Sequence, residues 1–214
     1  MTPPPRRRPK QRVRDEKTAL YRRLVLEGAE ALFAEKGYDE AKVEEIARTS
    51  GLSLGTLYSV FPGKAQLFRA VHEERGREVV ELCNQAARPL ASPVDRLLAG
   101  VRAYVEFFLA HPDYLRVHLR EGQAWGLGAA GAPSPEQADA WREGVELQTE
   151  NFARGVEQGL FHAGDPRLMT RMMISMQQVQ LAHWVESGMA RDAREVVAEI
   201  ETQVRRSFCQ ATDP

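Results

Sequence analysis

The sequence of 214 residues predicts an all-α fold of about nine helices, in which a small N-terminal domain precedes a larger C-terminal one. Three observations predict it. Apolar residues recur at three- and four-residue steps along most of the chain, which is the period of a helix with one buried face. Proline interrupts these stretches at Pro62, Pro89 and Pro112, where turns are expected. No strand-like alternation and no internal repeat is present.

The chain begins with a basic segment, residues 1–17, that holds four prolines and six Lys or Arg residues before the first acid, Asp15. Proline disfavours a packed helix and like charges repel, so we expect an arm that is disordered in isolation. Such an arm can lie along nucleic-acid phosphates or enter a minor groove, or it can serve only as a solubilising tail. The sequence leaves both possibilities open.

Three helices are predicted over residues 18–63, with the bounds 18–36, 43–50 and 54–60. Gly51 can adopt the left-handed backbone that ends the second helix. Ser53 can cap the third helix by accepting a hydrogen bond from the backbone N–H of Gly55 or Thr56. The small and apolar residues have helix-turn-helix spacing: Ile46, Ala47, Gly51, Leu52, Leu57 and Val60. This spacing predicts a DNA-binding domain, and an ordinary helical hairpin in a core is the alternative.

Six more helices are predicted in a C-terminal domain that covers residues 64–214. Their bounds are 64–88, 93–110, 113–125, 136–160, 166–187 and 192–210. The segment between the third and fourth of these, residues 126–135, is rich in Gly, Ala and Pro and indicates a mobile loop.

Charge is unevenly distributed along the chain. Residues 1–70 carry 14 Lys or Arg and 9 Asp or Glu, a net of +5, whereas residues 71–214 carry 15 and 21, a net of −6. A basic front and an acidic rear suit a domain that binds DNA and a body that DNA repels.

Two further features of the composition point to the cytoplasm. Cys83 and Cys209 have no metal or redox spacing, so we expect reduced thiols. No apolar run approaches the ~18 residues needed to span a bilayer, and no apolar signal segment follows the basic N-terminus. We therefore expect a cytoplasmic protein with no membrane partner.

A set of residues at fixed spacings extends from the first predicted helix into the fourth. In order, it contains Val25-Leu26, Gly28-Ala29, Leu32-Phe33, Gly37-Tyr38, Val43 to Ala47, Gly51 to Ser53, Gly55 to Tyr58, Phe61 to Lys64 and Leu67-Phe68. This set resembles the N-terminal domain of TetR-family transcriptional regulators over about residues 20–72, without gaps. The resemblance implies a sequence-specific DNA-binding regulator, most often a ligand-responsive repressor that acts as a homodimer on a palindromic operator. A regulator without a small-molecule effector is the alternative.

The resemblance also implies that the third helix lies in the major groove of double-stranded DNA. Its exposed positions are Leu54, Gly55, Thr56 and Ser59. None of them is charged, so the helix lacks the Arg or Lys that reads guanine with two hydrogen bonds. Discrimination between bases is therefore left to Thr56, to close backbone approach at Gly55, to the basic arm or to DNA shape.

Phosphate contacts are assigned by motif position to Tyr58 and Lys64. A ring packed in the core is the alternative for Tyr58. Lys42 stands where family members have a capping Thr or Ser, and it can contact a phosphate instead. The full predicted DNA-binding set is Lys42, Ser53, Leu54, Gly55, Thr56, Tyr58, Ser59 and Lys64.

In the family, the C-terminal helices form a ligand pocket. Aromatic and polar residues on one face of the sixth predicted helix fit a site for an apolar or aromatic effector. With aromatic residues of neighbouring helices, the predicted ligand-binding set is Tyr104, Phe108, Tyr114, His118, Glu121, Trp125 and Phe152. A half-exposed helix with packed aromatic ends is an equally weighted alternative.

The last two helices of the family make a dimer, and both are amphipathic here. Apolar residues at three- and four-residue steps predict the dimer interface, which comprises Met172, Met176, Val179, His183, Trp184, Val197, Ile200, Val204 and Phe208. Packing within the subunit is the alternative for these residues.

An enzyme is the rival class. His118 and Glu121 form a single H-x-x-E pair, whereas a di-metal helical bundle needs two E-x-x-H pairs and further inward-facing glutamates. No zinc-protease motif, nucleophile elbow or phosphate-binding loop is present. We therefore expect no catalytic residues, no metal and no cofactor.

Overall fold

The computed structural model of the chain describes residues 9–120 and 135–210, and within these ranges the protein has nine α-helices. The helices are α1 (Pro9–Glu40), α2 (Val43–Thr49), α3 (Leu54–Val60), α4 (Lys64–Ala87), α5 (Pro93–Ala110), α6 (Pro112–Arg120), α7 (Pro135–Glu157), α8 (Pro166–Glu186) and α9 (Ala193–Phe208). The all-α fold is confirmed. Residues 121–134, which include most of the predicted loop, lie outside the described residues.

The chain divides into two compact units, Met1–Val71 and His72–Pro214, and α4 begins in the first and ends in the second. In the N-terminal unit, α2 and α3 pack against α1 and against each other. Gly28 of α1 permits close approach to the end of α2, because a Cβ at this position would collide with the Ser50 side chain. The core of this unit contains Val25, Phe33, Ile46, Leu57 and Leu67, all buried.

The first helix begins earlier than the sequence predicts. It begins at Pro9, whereas the prediction placed residues 1–17 in a disordered arm. Pairs one turn apart support helix here, because Gln11 donates to Asp15 at 3.0 Å and Arg12 to Glu16 at 3.2 Å. At the other end, regular helix stops at Gly37, as predicted, because this residue has φ 81° and ψ 171°.

In the C-terminal unit, α5 is the central helix. It packs against α6, α7, α8 and α9 and buries Leu97, Val101, Val105 and Phe108. Ser92 caps α5, and Asp165 and Asp192 cap α8 and α9, each with a side-chain oxygen that accepts from backbone N–H groups of the first turn. Within the described residues, no helix is long and apolar enough to cross a membrane.

Candidate DNA-binding face and ligand cavity

The turn between α2 and α3 is built as the glycine and serine predict. Gly51 has φ 69°, and the chain reverses while the Leu52 N–H donates to the Ala47 carbonyl at 2.9 Å. The Ser53 hydroxyl oxygen then caps α3 by accepting from the Thr56 N–H at 3.1 Å. Ala47 and Leu57 are buried between the helices. This geometry holds α3 as the second helix of a helix-turn-helix.

The outer face of α3 is uncharged and rich in hydroxyl groups. Gly55, Tyr58 and Ser59 are exposed, and Tyr58 leaves 47% of its surface to solvent, so it is not a core ring. Leu54 and Thr56 are half-buried, although the sequence placed both among the exposed positions.

Two of these hydroxyl groups are already bonded within the helix-turn-helix. The Ser59 hydroxyl donates to the Thr56 carbonyl at 2.6 Å, and the Ser53 and Thr56 hydroxyl oxygens are 2.8 Å apart. The Thr56 hydroxyl is therefore hydrogen-bonded to the capping Ser53 hydroxyl, whereas the Thr56 methyl group takes no part in the cap.

The two predicted phosphate lysines have different surroundings. Lys42 is exposed and makes no side-chain cap on α2. The Lys64 ammonium instead donates to the backbone carbonyls of Asp39 and Ala41, at 3.0 and 3.1 Å, and lies 4.6 Å from the centre of the Tyr38 ring. Lys64 thus ties the start of α4 to the turn after α1, and one of its three N–H groups remains for a phosphate.

In the C-terminal unit, four of the predicted ligand residues meet in one aromatic cluster. Tyr104, Phe108, Tyr114 and His118 are all buried. Phe108 stacks on Tyr114 with ring centres 5.7 Å apart and planes 8° apart, and it also contacts Tyr104 and His118 at 4.8 and 5.0 Å. These rings fill the space between them.

The same cluster contains two buried histidines. Burial, and secondarily the nearby His72, lowers the pKa of His118 to about 3, and burial lowers the pKa of His72 to about 4. The Gln178 amide lies 3.5 Å from His118 Nε2, which suits a neutral imidazole that accepts a hydrogen bond. Both histidines are therefore neutral and packed, and the predicted role of His118 in ligand binding stays a prediction.

The other predicted ligand residues do not join this cluster. Phe152 packs instead against Phe161 and Phe208, with ring centres 5.1 and 5.2 Å apart. Glu121 and Trp125 lie outside the described residues.

A cavity of about 560 Å³ lies between α4, α5, α7 and α8, and among the described residues of the predicted ligand set only Tyr104 lines it. Its apolar walls include Val79, Val80, Val101, Leu147, Met173 and Ile174. The volume falls in the range of small-molecule sites. The candidate ligand site is therefore this cavity and not the packed aromatic cluster. The sequence could not show this, because helical spacing identifies the buried face of a helix but not whether that face packs against rings or borders a cavity.

Polar side chains in the cavity wall retain atoms that have no hydrogen-bond partner. These buried atoms are Tyr104 Oη, Gln148 Nε2, Asn151 Oδ1 and Gln177 Oε1. Burial, with a smaller contribution from Cys83, raises the pKa of Tyr104, and the nearby Gln178 side chain lowers it by a lesser amount. Even so, the Tyr104 hydroxyl has no hydrogen-bond partner of normal geometry. The sequence interpretation missed the three amides, although each occupies the apolar face of its helix, where a polar residue is an unusual signal.

The predicted dimer residues separate into two groups. On α9, Val197, Ile200, Val204 and Phe208 are buried within the subunit, where α9 packs against α5 and α8, so they cannot form an interface. Trp184 of α8 is also buried, and its indole N–H donates to the Arg191 carbonyl at 3.2 Å. For these five residues, packing within the subunit replaces the predicted role.

The rest of the predicted interface lies on the outer face of α8. Met172 and Val179 are 53% and 68% exposed, His183 is exposed, and Met176 between them is half-buried. Leu168, one turn before Met172, is 56% exposed and extends this row. We name Leu168, Met172, Met176, Val179 and His183 the α8 stripe. An exposed apolar row of this length on one helix indicates a contact with another chain.

Metal binding finds no support in the part of the chain that the structure describes. No three His, Cys, Asp or Glu side chains come together there in a way that could hold an ion. Of the H-x-x-E pair in the sequence, His118 is buried among aromatic rings, and Glu121 lies outside the described residues.

Two family models match the chain. The model described as "Bacterial regulatory proteins, tetR family" matches residues 25–71, and "Tetracyclin repressor-like, C-terminal domain" matches residues 90–207. The transcriptional repressor AcnR of Corynebacterium efficiens is 33% identical over 196 residues, which cover 89% of this chain and 96% of AcnR. The A-factor receptor protein of Streptomyces griseus is 29% identical over 183 residues, or 83% of this chain and 60% of the receptor. The chain spans only 34% and 41% of two further curated relatives.

Solved structures show the same fold. The ketosteroid transcriptional regulator KstR2 of Mycobacterium tuberculosis superposes with a TM-score of 0.73 at 22% identity, over 88% of this chain and 95% of KstR2. A bacterial regulatory protein of the tetR family from Rhodococcus RHA1 gives 0.73 at 26% identity, over 89% and 98%.

Proposed function

Because the chain belongs to the TetR family of bacterial regulatory proteins, we propose that it is a cytoplasmic, ligand-responsive repressor that binds a palindromic operator as a homodimer. Membership of the family makes it a DNA-binding transcriptional regulator and not an enzyme. The repressing action, the operator symmetry, the dimer and the ligand are the proposed parts. The observation that carries the proposal is the exposed outer face of α3 in a helix-turn-helix.

The outer face of α3 supports binding in the major groove. Gly55 has no side chain to hold the backbone away from DNA, and the Thr56 methyl can contact a thymine methyl. Exposed Tyr58 can donate its hydroxyl to a phosphate. Lys42 and the remaining N–H of Lys64 add positive charge beside it. With no Arg or Lys on α3, we propose that selectivity rests on methyl contacts and DNA shape more than on bidentate hydrogen bonds.

The α8 stripe supports a homodimer. The row lies on one face of a 21-residue helix, so two copies of α8 can pack antiparallel across a two-fold axis and cover it. A two-fold axis in the protein requires two-fold symmetry in the operator, with half-sites about 34–36 Å or a multiple apart. Palindromic recognition thus follows from the same helix that carries the exposed apolar residues.

The cavity supports an effector. Its volume suits a small molecule, and its walls are mostly apolar with a few polar groups, which is the usual composition of such a site. A relative is named the A-factor receptor protein, so a similar chain is a receptor for a signal. We propose that the cavity holds the effector and that the effector lowers operator affinity.

The operator can be identified by selecting from a pool of random duplexes with the purified chain. We expect a footprint with two symmetric half-sites, a 2:1 protein-to-duplex ratio and a dimer by light scattering. Thr56→Ala should change the preference among operator variants, whereas Thr202→Ala, an exposed threonine on α9, should not. A monomer that enriches no duplex would refute the proposal. A symmetric operator whose affinity no bound small molecule changes would leave a regulator without an effector.

A further inference from the structure

The cavity wall contains buried amide atoms that have no hydrogen-bond partner. Asn151 and Gln177 are 4% and 1% exposed, yet Asn151 Oδ1 and Gln177 Oε1 accept no hydrogen bond. Gln148 Nε2, on the same face of α7 as Asn151, donates none. With Tyr104 Oη, four buried polar atoms of the wall are without partners. Such groups destabilise a folded protein, so four of them around one cavity indicate a bound molecule that satisfies them.

The orientation of both amide oxygens is fixed by the other half of each amide. Asn151 Nδ2 donates to the Pro93 carbonyl at 2.9 Å, and Gln177 Nε2 donates to the Met173 carbonyl at 3.3 Å. Rotating either amide by 180° would place an oxygen against a carbonyl oxygen. The wall therefore offers two acceptors that need hydrogen-bond donors and, at Gln148, one donor that needs an acceptor; the Tyr104 hydroxyl, the fourth unpartnered group, can donate or accept and so does not change this balance.

Only some ligand chemistries fit this set. A carboxylate or phosphate offers acceptors alone and would place negative charge beside two amide oxygens. An ammonium group offers donors alone and leaves Gln148 without a partner. A hydroxyl group both donates and accepts, so two hydroxyls can satisfy all three amide atoms.

The charged residues of the cavity do not overrule this choice. Arg96 lines it and is half-buried, but its Nε–H already donates to the Leu90 carbonyl at 2.5 Å. Arg88, Arg154, Glu81 and Glu143 also line it and are exposed to solvent, with both signs represented. Charge at such positions is screened and selects weakly between ligands. The buried amides therefore decide the polar chemistry of the ligand.

Resting on the proposed effector function, we propose that the cavity binds an uncharged molecule with an apolar body and two hydroxyl groups, whose donors bond to Asn151 and Gln177. Gln148 donates to one of the same hydroxyl oxygens. Val79, Val101 and Ile174 contact the apolar body.

The first test compares matched probes on the full-length protein. The probes are vicinal diols of eight to sixteen carbons, the dimethyl ether of each, and the carboxylate of equal length, with affinities measured by calorimetry. We expect each diol to bind at least about 10-fold more tightly than its ether, because an ether cannot donate. The carboxylates should bind more weakly than the diols.

Two variants separate donation from acceptance. Gln177→Met removes one of the two acceptors, so it should weaken diol binding and lower the diol-to-ether ratio, while Asn151 retains part of the preference. Gln148→Met removes a donor that both probes can use, so it should weaken both and leave the ratio unchanged. Gln180→Met is the matched control on α8, because the Gln180 amide donates to Gln203 at 2.6 Å and does not line the cavity. It should change neither affinity.

The thermal stability of the ligand-free protein gives an independent test of the role of Gln177. Gln177→Met should raise the melting temperature by about 2–4 °C, because it removes a buried unpaired oxygen that serves a ligand. A lower melting temperature with an unchanged diol-to-ether ratio would show that Gln177 is structural and would overturn the proposal. Equal binding of diols and ethers, or no binding of any diol, would also overturn it. Diols that bind as expected without releasing DNA would sustain it and refute only the proposed effector response.

Discussion

Lys64 illustrates how one side chain can serve both fold and function. Its ammonium bonds to the Asp39 and Ala41 carbonyls and still has one N–H for a phosphate. We expect Lys64→Ala to weaken binding to all duplexes about equally and also to destabilise the fold by about 1–3 kcal/mol, because it removes two charge-assisted hydrogen bonds. Lys42→Ala is the control, since Lys42 is exposed and makes no cap. It should lower DNA affinity without changing the melting temperature.

Gel shifts on specific and random duplexes, paired with thermal denaturation, measure both effects. If Lys64→Ala lowers the melting temperature but leaves DNA affinity intact, Lys64 only holds the turn. Tyr58→Phe should weaken binding to all duplexes without lowering the melting temperature, because the exposed phenol has no role in the core.

The buried histidines predict how stability depends on pH. Because burial lowers the pKa of His72 to about 4 and of His118 to about 3, the unfolded chain takes up protons below pH 6.5 that the folded chain does not. The contribution of the two histidines to the free energy of unfolding should therefore be largest above pH 6.5 and should fall as the pH drops toward 4. Each histidine contributes about 1.4 kcal/mol per pH unit.

Denaturant unfolding at pH 7.5, 6.5, 5.5 and 4.5 tests this dependence. His118→Gln should make the slope of stability against pH shallower by about one proton. His162→Gln, at an exposed position outside the α8 stripe, is the control variant. Equal slopes for the parent and His118→Gln would contradict the assignment.

The sequence predicted single residues well where the cause is local. The turn at Gly51 and the cap at Ser53 depend on backbone geometry within a few residues, so their spacing sufficed. Gln148 and Gln177 were missed because the absence of a partner depends on which helices meet around them. Sequence spacing cannot show that.

Helices α8 and α9 show the same limit for whole elements. Both have apolar residues at helical spacing, yet the row on α9 is covered by its own subunit and the α8 stripe is not. Periodicity measures how much of a helix is buried without identifying the chain that buries it. The α8 residues of the predicted interface are therefore accessible to a second chain, whereas the named α9 residues are buried within their own subunit, and the interface itself stays a prediction.

The α8 stripe predicts the effect of charge at an interface. Val179→Glu should give a monomer in light scattering with an unchanged circular dichroism spectrum, because Val179 is 68% exposed and is not needed for the fold. Binding to a full operator should fall at least about 10-fold, since the second half-site no longer gains from the first. Leu82→Glu is the control, as Leu82 is 40% exposed on α4, outside the stripe. A Val179→Glu dimer would place the interface elsewhere.

The start of α1 predicts a dependence on salt. The helix begins at Pro9 and carries Lys10, Arg12 and Arg14 in its first two turns. Arg12 is paired with Glu16, but the pair is exposed and weak, so its charge remains available to a phosphate. Deleting residues 2–14 should reduce the slope of log K against log salt by about 0.9 for each phosphate that the protein no longer neutralises.

The effect of the deletion on the salt dependence is measured by repeating the operator titration at several salt concentrations. Arg206→Ala, an exposed arginine at the end of α9, controls for loss of positive charge alone. An unchanged slope after the deletion would make the segment a solubilising tail.

Considered as a whole, the chain separates its two candidate sites by charge and by unit. The first 70 residues carry a net charge of +5 and hold the helix-turn-helix, while the acidic remainder holds the cavity. This division was visible in the sequence because both charge and the short-range motif are local properties. The cavity was not, because it arises among four helices that are far apart along the chain.

Among the described helices, α4 is the one that begins in the N-terminal unit and ends in the C-terminal unit. Its first residue, Lys64, bonds to the turn after α1, and its later residues, Val79, Val80 and Cys83, line the cavity. A ligand can change operator affinity only if it binds two arrangements of the protein unequally. A continuous helix with one end at each site is the physical connection by which that difference can be transmitted.

Breaking α4 between its two ends should therefore uncouple the sites. Glu74 is exposed three residues after Val71, and proline there removes the hydrogen bond to the carbonyl of residue 70 and kinks the helix. In the parent protein we expect a saturating diol to lower operator affinity by about 5- to 150-fold, and saturating operator to lower diol affinity by the same factor. Glu74→Pro should bring both factors close to one while diol and operator each still bind, whereas Glu74→Ala should retain them. Full reciprocal coupling in a Glu74→Pro protein that binds both ligands would exclude α4 as the connection.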